Sequence, residues 1–135
     1  RRNLAGPLFE RMRRMGIDCR ERFSENCADL TWGSRSVRVY LFGGRDEGSA
    51  ALIQGATLAG VLLDEVVLMP RSFVEQAPAR CSVEGATFWF SCNPEHPEHW
   101  FYKEWIQKAE ERRALYLHFT MQDNPALSSP GDPPV

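Results

Sequence analysis

Long apolar runs are the first feature that this sequence lacks. No stretch approaches the roughly 20 consecutive apolar residues that a membrane-spanning helix requires. The first three residues, Arg1, Arg2 and Asn3, are not followed by the apolar core of a signal peptide either. We therefore expect a protein that has no membrane partner and stays in the cytoplasm of its cell.

Closely spaced cysteine pairs are also missing. The cysteines are Cys19, Cys27, Cys81 and Cys92, and no two of them form a Cys-x-x-Cys pattern. Structural zinc sites and redox-active disulfides use such short spacings. We therefore expect reduced and mostly buried thiols at all of these positions.

Lysine is scarce, because Lys103 and Lys108 are the only lysines in the 135 residues. A phosphate-binding loop needs the pattern Gly-x-x-x-x-Gly-Lys followed by Ser or Thr, since backbone amides and the lysine together surround the phosphates. Neither lysine follows a glycine pattern of this kind. The sequence as given therefore contains no phosphate-binding loop.

The composition that remains is typical of one globular domain, with 43% hydrophobic and 25% charged residues. A net charge of -2 gives no global attraction to nucleic acid, so any basic surface must be local. The first 25 residues are richer in arginine than in acids. These arginines indicate either a solvated helix face or contacts to phosphate.

An apolar run that ends in two acids is the most informative feature of the chain. Residues 60–63 are apolar without alternation, and Asp64 and Glu65 follow them directly. Strands that are buried on both faces of a parallel sheet have such runs, and ligands bind at their carboxyl ends. The pattern is that of a Walker B strand, whose aspartate holds a nucleotide-bound magnesium through water and whose glutamate polarises the attacking water. The alternative is a buried strand that ends in a solvated turn.

A second apolar strand is predicted over residues 86–92, and it also ends in polar groups, with Ser91 and Asn93 at its end. Pro70 and the pattern over 71–79 predict a helix between the two strands. A strand, a helix and a strand in this order form a parallel pair with a right-handed crossover. Ser91 and Asn93 should then lie beside the acidic pair, where both can hydrogen-bond a water or a phosphate oxygen. The alternative for these two residues is a cap on a strand-to-turn junction.

The N-terminal half contains a helix and a hairpin in addition to this pair. Residues 4–15 have an apolar face and predict an amphipathic helix that ends at Gly16. Residues 28–32 and 36–42 are rich in β-forming residues and are separated by a short turn, which predicts a β-hairpin. Residues 45–57 predict a loop with at most a short helix.

The C-terminal part predicts one more helix and one more strand. Residues 97–112 are expected to form a helix, and the alternating residues 114–120 a fourth strand. Residues 123–134 are rich in Pro, Ser and Asp and cannot hold regular structure. His96 and His99 have no nearby Cys or acid pair that would complete a metal site, so we expect them to cap and pack the helix start.

Several separate motifs together resemble one family. They are Ile53 to Val66, Leu68-Met69-Pro70, Arg80-Cys81-Ser82, Cys92-Asn93-Pro94, His99-Trp100-Phe101-Tyr102 and Asp123-Asn124-Pro125. In this order they resemble the ATPase domain of the large subunit of tailed-phage terminases, of the defective-prophage type. The likeness covers roughly residues 30–128.

The resemblance implies a motor that uses ATP and Mg²⁺ to move double-stranded DNA into a procapsid. Glu65 would be the catalytic base, and Asp64 would hold Mg²⁺ through water. Ser91 and Asn93 would contact the nucleotide, and together with Cys92 they would form the motif that couples hydrolysis to movement. The implied partners are DNA, the terminase small subunit, the portal protein and further copies of the chain in a ring on the procapsid, in the host cytoplasm.

The implied fold class is α/β, a partial P-loop NTPase fold of the ASCE type with a mainly parallel sheet and without the Walker A strand and loop. We expect residues 1–27 to be an N-terminal helical segment, 28–122 an ATPase core fragment and 123–135 a linker or disordered tail. The absent Walker A loop and the initial Arg lead us to expect a piece of a longer protein, inactive alone. Two alternatives are a non-catalytic prophage remnant or assembly module and a helicase-like ATPase.

The absent strand has a structural consequence. In this fold class it lies between the strands predicted over 86–92 and 114–120, so its absence would expose two strand edges. We expect the isolated chain to pair these two strands directly, to associate through them or to be marginally stable.

Overall fold

The computed structural model describes residues 2–43, 51, 53–93 and 96–123. The chain forms two compact units, Arg1–Cys92 and Asn93–Val135. No helix among the described residues is long and apolar enough to cross a membrane. Part of the predicted loop 45–57 and nearly all of the predicted irregular tail lie outside the described residues.

The first unit opens with α1 (Arg2–Arg14), which confirms the predicted amphipathic helix. The turn after the helix contains Gly16, whose φ of 83° is left-handed, as expected for a residue without Cβ. The Gly16 amide donates to the Arg13 carbonyl at 3.0 Å, and the Ile17 amide donates to the Met12 carbonyl at 3.1 Å. These two bonds form a Schellman motif, which turns the chain back towards the sheet that follows.

A three-stranded antiparallel sheet follows, in the order β1 (Asp18–Arg22), β2 (Cys27–Trp32) and β3 (Arg35–Tyr40). The pair of β2 and β3 is the predicted hairpin, and Gly33 occupies its turn with a φ of 57°. The sequence did not predict β1, because Cys19 is the only apolar residue among its five. This strand forms through its pairing with β2 and not through a pattern of its own.

The helix α1 packs on one face of this antiparallel sheet. Phe9 of the helix is fully buried, and it shares a core with Cys19, Ala28 and Leu30 from the first two strands. Burial of a phenylalanine side chain contributes about 1.5–3 kcal/mol by transfer out of water. The hydrophobic effect thus holds α1 on the sheet, and the predicted burial of Cys19 is confirmed.

The opposite face of this sheet is charged. Asp29 lies between Arg20 and Arg38 in the strand register. Arg38 Nε contacts one oxygen of the Asp29 carboxylate at 2.6 Å, and Arg22 Nε contacts the other at 2.8 Å. The hydrogen bonds from Arg38 and Arg22 hold the pKa of Asp29 below its ordinary value. Asp29 therefore links all three strands of the sheet.

The second sheet carries the acidic pair. It contains β4 (Gly60–Leu63) and β5 (Thr87–Phe90), which pair in parallel. The connection between them holds α2 (Arg71–Ala79), so the predicted strand, helix and strand are confirmed. The helix buries Phe73, Val74 and Ala77, which are three and four residues apart on one face.

The two parallel strands come unusually close at Gly60. A Cβ atom at this position would lie 2.9 Å from the carbonyl oxygen of Thr87, the residue opposite it in register. Real Cβ atoms essentially never approach a backbone oxygen so closely. The residue before the apolar run must therefore lack a side chain for the strands to keep this spacing.

The expectation that this strand is buried on both faces is wrong. Leu63 is 3% exposed, whereas Leu62 and its register partner Trp89 are 56% and 60% exposed. The contacts of α2 explain the difference, because this helix packs against β4 and can cover only one face of a two-stranded sheet. In the described residues the sheet thus has one exposed face and one partly buried face, where Leu63 is buried but Phe88 is 39% exposed.

The second unit contains a short helix of unusual geometry. Residues Tyr102–Ile106 form a π-helical turn, and turns extend from it to residue 113. The predicted helix over 97–112 is therefore formed only in part. Phe101 is 2% exposed and stacks on Trp105 with ring centroids 6.2 Å apart, and the Arg112 guanidinium lies 4.2 Å from the centre of the Trp105 ring. These aromatic and cation–π contacts stabilise the unit locally.

The prediction of a fourth strand is wrong. No strand is present over residues 114–120, and Leu115, Leu117 and Phe119 are 85%, 61% and 74% exposed. Alternation specifies which side chains share a face, but a strand also needs a neighbour for its backbone hydrogen bonds.

The fold class is α/β, as predicted, but the expectation of a mainly parallel sheet is not met in the described residues. Among the strands that the structure describes, β4 and β5 pair in parallel, whereas β1, β2 and β3 are antiparallel. The reason is the hairpin turn at Gly33, which joins consecutive strands too closely for a parallel crossover. The described part of the chain therefore contains one antiparallel and one parallel sheet. Asp64 and Glu65 follow a strand of the parallel sheet.

Candidate functional site

Asp64 and Glu65 lie where β4 ends. The strand stops at Leu63, which is buried, and Val66 on the other side of the acids is fully buried. The two apolar neighbours fix the backbone, and both acidic side chains remain exposed to solvent. A fixed backbone that carries solvated carboxylates is suited to bind a cation or to position a water.

Ser91 joins this turn through its backbone and its hydroxyl group. Its amide donates to the Leu63 carbonyl at 3.0 Å, and its carbonyl accepts from the Val66 amide at 3.0 Å. Its Oγ accepts from the Glu65 amide at 3.3 Å and donates to the carboxylate of Asp64. The prediction that the ends of the two strands meet is therefore confirmed for Asp64, Glu65 and Ser91.

Glu65 has a left-handed backbone, with φ 55° and ψ 47°. This region is uncommon for a residue with a side chain and is occupied mainly by Gly, Asn and Asp. The sequence gives no signal of it, because glutamate does not favour this conformation. The left-handed turn and its bond to Ser91 are the functional features that sequence reasoning missed.

Cys92 and Asn93 continue from Ser91. Cys92 is half-buried, and burial raises the pKa of its thiol. Its thiol therefore stays protonated at neutral pH and is a poor nucleophile. Asn93 is exposed and is the first residue of the second unit. Its place beside the acidic pair stays a prediction.

The donor set fits a magnesium ion bound by one carboxylate. Mg²⁺ prefers oxygen ligands, keeps several waters and uses one or two carboxylates together with substrate phosphates. Asp64 presents an exposed carboxylate beside the Ser91 hydroxyl, which matches this chemistry. Among the described residues no three His, Cys, Asp or Glu side chains form a complete protein cage for a metal.

His96 and His99 each accept a hydrogen bond from a main-chain amide near the start of the helix in the second unit. The Glu98 amide donates to His96 Nδ1 at 3.1 Å, and the Phe101 amide donates to His99 Nδ1 at 3.2 Å. Amides at the start of a helix have no partner within it, so these side chains satisfy them. The predicted capping contact is therefore present at His99, whereas the Glu98 amide that donates to His96 lies in the turn before the helix.

Known structures resemble this chain over nearly its whole length. A structure of the large terminase from a thermophilic bacteriophage is 50% identical, with a TM-score of 0.88, and covers 95% of this chain. The same terminase in complex with ADP is 46% identical with a TM-score of 0.89, over 95% of this chain. Its complex with ATP-gamma-S is 47% identical with a TM-score of 0.81, over 90% of this chain.

The chain spans about a third of these terminases, covering 32%, 31% and 29% of their respective lengths. Comparison with curated proteins gives no match. Residues 11–132 match the family described as "Terminase large subunit, T4likevirus-type, N-terminal". Because the match includes most of the sequence and the structural likeness agrees with it, the chain belongs to the terminase large subunit family.

Proposed function

We propose that this chain is part of an ATP-driven motor that packages double-stranded phage DNA into procapsids. The observation that carries the proposal is the hydrogen-bonded group of Asp64, Glu65 and Ser91 at the carboxyl edge of the parallel sheet. Family membership and the nucleotide complexes of the thermophilic-phage terminase support it. The fold proposed for the complete motor is a P-loop NTPase of the ASCE type.

Within this proposal the two acids have different roles. Asp64 would hold Mg²⁺ through water, and the bound ion would neutralise charge on the β- and γ-phosphates. Glu65 orients and polarises the water that attacks the γ-phosphate in line. Ser91 donates a hydrogen bond to one oxygen of the Asp64 carboxylate, which orients the group that would hold the hydrated ion. Asn93 and Cys92 complete the motif that couples hydrolysis to movement.

The donors that would surround the phosphates are not in this sequence, since neither Lys103 nor Lys108 belongs to a Gly-x-x-x-x-Gly-Lys pattern. We propose that the 135 residues alone do not turn over ATP. In the assembled motor, which works in the host cytoplasm, the proposed partners are DNA, the small subunit, the portal protein and further copies of the large subunit in a ring.

The test is ATP hydrolysis by the complete gene product that carries this sequence. Glu65→Gln keeps the size of the side chain but cannot accept a proton, and we expect kcat to fall by about 10²–10⁴-fold. Glu98→Gln, which changes an exposed acid in the second unit, is the matched control and should leave kcat within twofold. Hydrolysis that persists in Glu65→Gln would refute the role of Glu65, and hydrolysis by the isolated 135 residues would refute their proposed inactivity.

A second candidate is a non-catalytic assembly module, and the absence of a phosphate-loop pattern from these 135 residues favours it. Such a module would bind other motor components without turning over ATP. The complete gene product distinguishes the two functions, because a module would show no ATP hydrolysis in the wild type. A helicase-like ATPase is not favoured, because the family match is to terminases.

A further inference from the structure

The turn after β4 is built around Ser91. Main-chain atoms of Leu63, Glu65 and Val66 each form one hydrogen bond with Ser91, and these three bonds enclose the two acids. Two of these bonds use the backbone of Ser91, at 3.0 Å each, and would form with any residue at this position. The third depends on the serine side chain, because its Oγ accepts from the Glu65 amide at 3.3 Å.

The Ser91 hydroxyl connects the two acids. A hydroxyl group has one proton and two acceptor lone pairs. The proton of Ser91 points to the Asp64 carboxylate, and a lone pair accepts the Glu65 amide. A single continuous series of hydrogen bonds therefore runs from the Glu65 backbone through Ser91 to Asp64.

Glu65, whose amide is bound by this series of hydrogen bonds, has the left-handed backbone conformation. At φ 55° and ψ 47° the Cβ of Glu65 crowds its own carbonyl, which a right-handed backbone would avoid. Such conformations persist only where the surrounding structure determines them. Rotation of Glu65 out of this region would redirect its carboxylate relative to Asp64.

We propose that Ser91 is a positioning residue for Glu65, which holds the left-handed backbone and makes it respond to the Asp64 carboxylate. When Asp64 accepts the hydroxyl proton, the Ser91 lone pair faces the Glu65 amide and the turn is closed. When Asp64 turns to another partner, the Ser91 side chain loses the bond that fixes its rotamer, and its Oγ can then move away from the Glu65 amide. This inference rests on the proposed catalytic role of Glu65 and adds a dependence of its orientation on Asp64.

The test compares Ser91→Ala with Ser91→Thr in the complete gene product. Ser91→Ala removes the hydroxyl but keeps both backbone bonds, so the Glu65 amide should exchange with solvent roughly fivefold faster. The Val66 amide, which donates to the Ser91 backbone carbonyl, should keep its rate and serves as an internal control. For ATP hydrolysis we expect kcat to fall roughly tenfold to 100-fold, with KM within twofold.

Ser91→Thr keeps the hydroxyl and should restore both the Glu65 exchange rate and kcat to within threefold of the wild type. Ser36→Ala, which removes an exposed serine hydroxyl from β3, should change neither quantity. An unchanged Glu65 exchange rate in Ser91→Ala would overturn the proposal. Equal acceleration of both amides would also overturn it, because Ser91 would then support the whole end of the sheet.

The kinetic outcomes separate this proposal from the proposed function. A raised KM with unchanged kcat in Ser91→Ala would assign Ser91 to nucleotide binding and would overturn the positioning role. Complete absence of hydrolysis in the wild type would instead refute the ATPase function. The amide exchange of Glu65 and Val66 would still decide whether Ser91 holds the turn.

Discussion

The close approach of β4 and β5 at Gly60 predicts a specific loss of stability in Gly60→Ala. The new Cβ would lie 2.9 Å from the Thr87 carbonyl oxygen, about 0.5 Å inside ordinary van der Waals contact. Because the obstructing atom belongs to the backbone, no rotamer change can relieve the overlap. The two strands must separate or the turn before β4 must shift, and overpacking of this kind costs typically 1–3 kcal/mol.

We expect a decrease of about 2 kcal/mol in the free energy of unfolding of Gly60→Ala, measured by urea titration with tryptophan fluorescence. At roughly 4 °C per kcal/mol for a chain of this size, the melting temperature should fall by about 8 °C. The distance between Asp64 and Ser91 should also grow, because both residues follow the strands that are forced apart.

A second glycine gives the matched control. Gly33 has a φ of 57°, but a Cβ there would meet nothing within 4 Å. The cost of Gly33→Ala is therefore conformational, about 1 kcal/mol, and Gly33→Asn should cost roughly half as much because asparagine tolerates this region. At Gly60 the order of the two stability losses must reverse. Asn should destabilise the protein more than Ala there, because the larger side chain overlaps more with the Thr87 backbone. The same order at both positions, or an unchanged stability of Gly60→Ala, would refute the reasoning.

The remaining predictions concern the antiparallel sheet. Phe9→Ala empties a fully buried site and should destabilise the protein by about 3–5 kcal/mol in urea titration, whereas Leu8→Ala, on the neighbouring half-exposed residue, should cost less than about 1 kcal/mol. If Phe9→Ala lowered the free energy of unfolding as little as Leu8→Ala does, the result would contradict the burial of Phe9 in the core. Hydrogen bonds from Arg38 and Arg22 lower the pKa of Asp29 in the folded protein. The ionised carboxylate therefore stabilises the fold at any pH above 3.8, the ordinary pKa of this group. This stabilisation is lost as the pH falls through the lower pKa of the folded state. The wild type should therefore lose more stability than Asp29→Asn between pH 6 and pH 2, and parallel losses in the two proteins would argue against these ion pairs.

The elements that the sequence predicted are those whose residues specify them locally. Helix α2 begins after Pro70 and buries Phe73, Val74 and Ala77 at helical spacing, so a short window contains its start and its face. The parallel pair follows from two apolar runs and the helix between them. In each case the signal lies within about ten residues.

The sequence-based predictions failed where the structure depends on a pairing partner or on an unusual backbone conformation. Strand β1 has one apolar residue and exists because β2 lies beside it. Residues 114–120 have a good alternating pattern but no strand over that range, because a side-chain pattern supplies no backbone partner. At the site, the identities of Asp64 and Ser91 could be predicted from their positions after strands. The left-handed Glu65 could not, since its conformation depends on three bonds to residue 91.

The charged row across the first sheet also has a consequence for how its strands align. A shift of β2 by one residue would turn Asp29 towards Phe9 and would expose Leu30 to water, since neighbouring side chains on a strand point to opposite faces. It would bury a carboxylate without its two arginines, which is far more costly than the loss of one apolar contact. The row of Arg20, Asp29 and Arg38 thus penalises misaligned sheets, so that the antiparallel strands have one acceptable alignment.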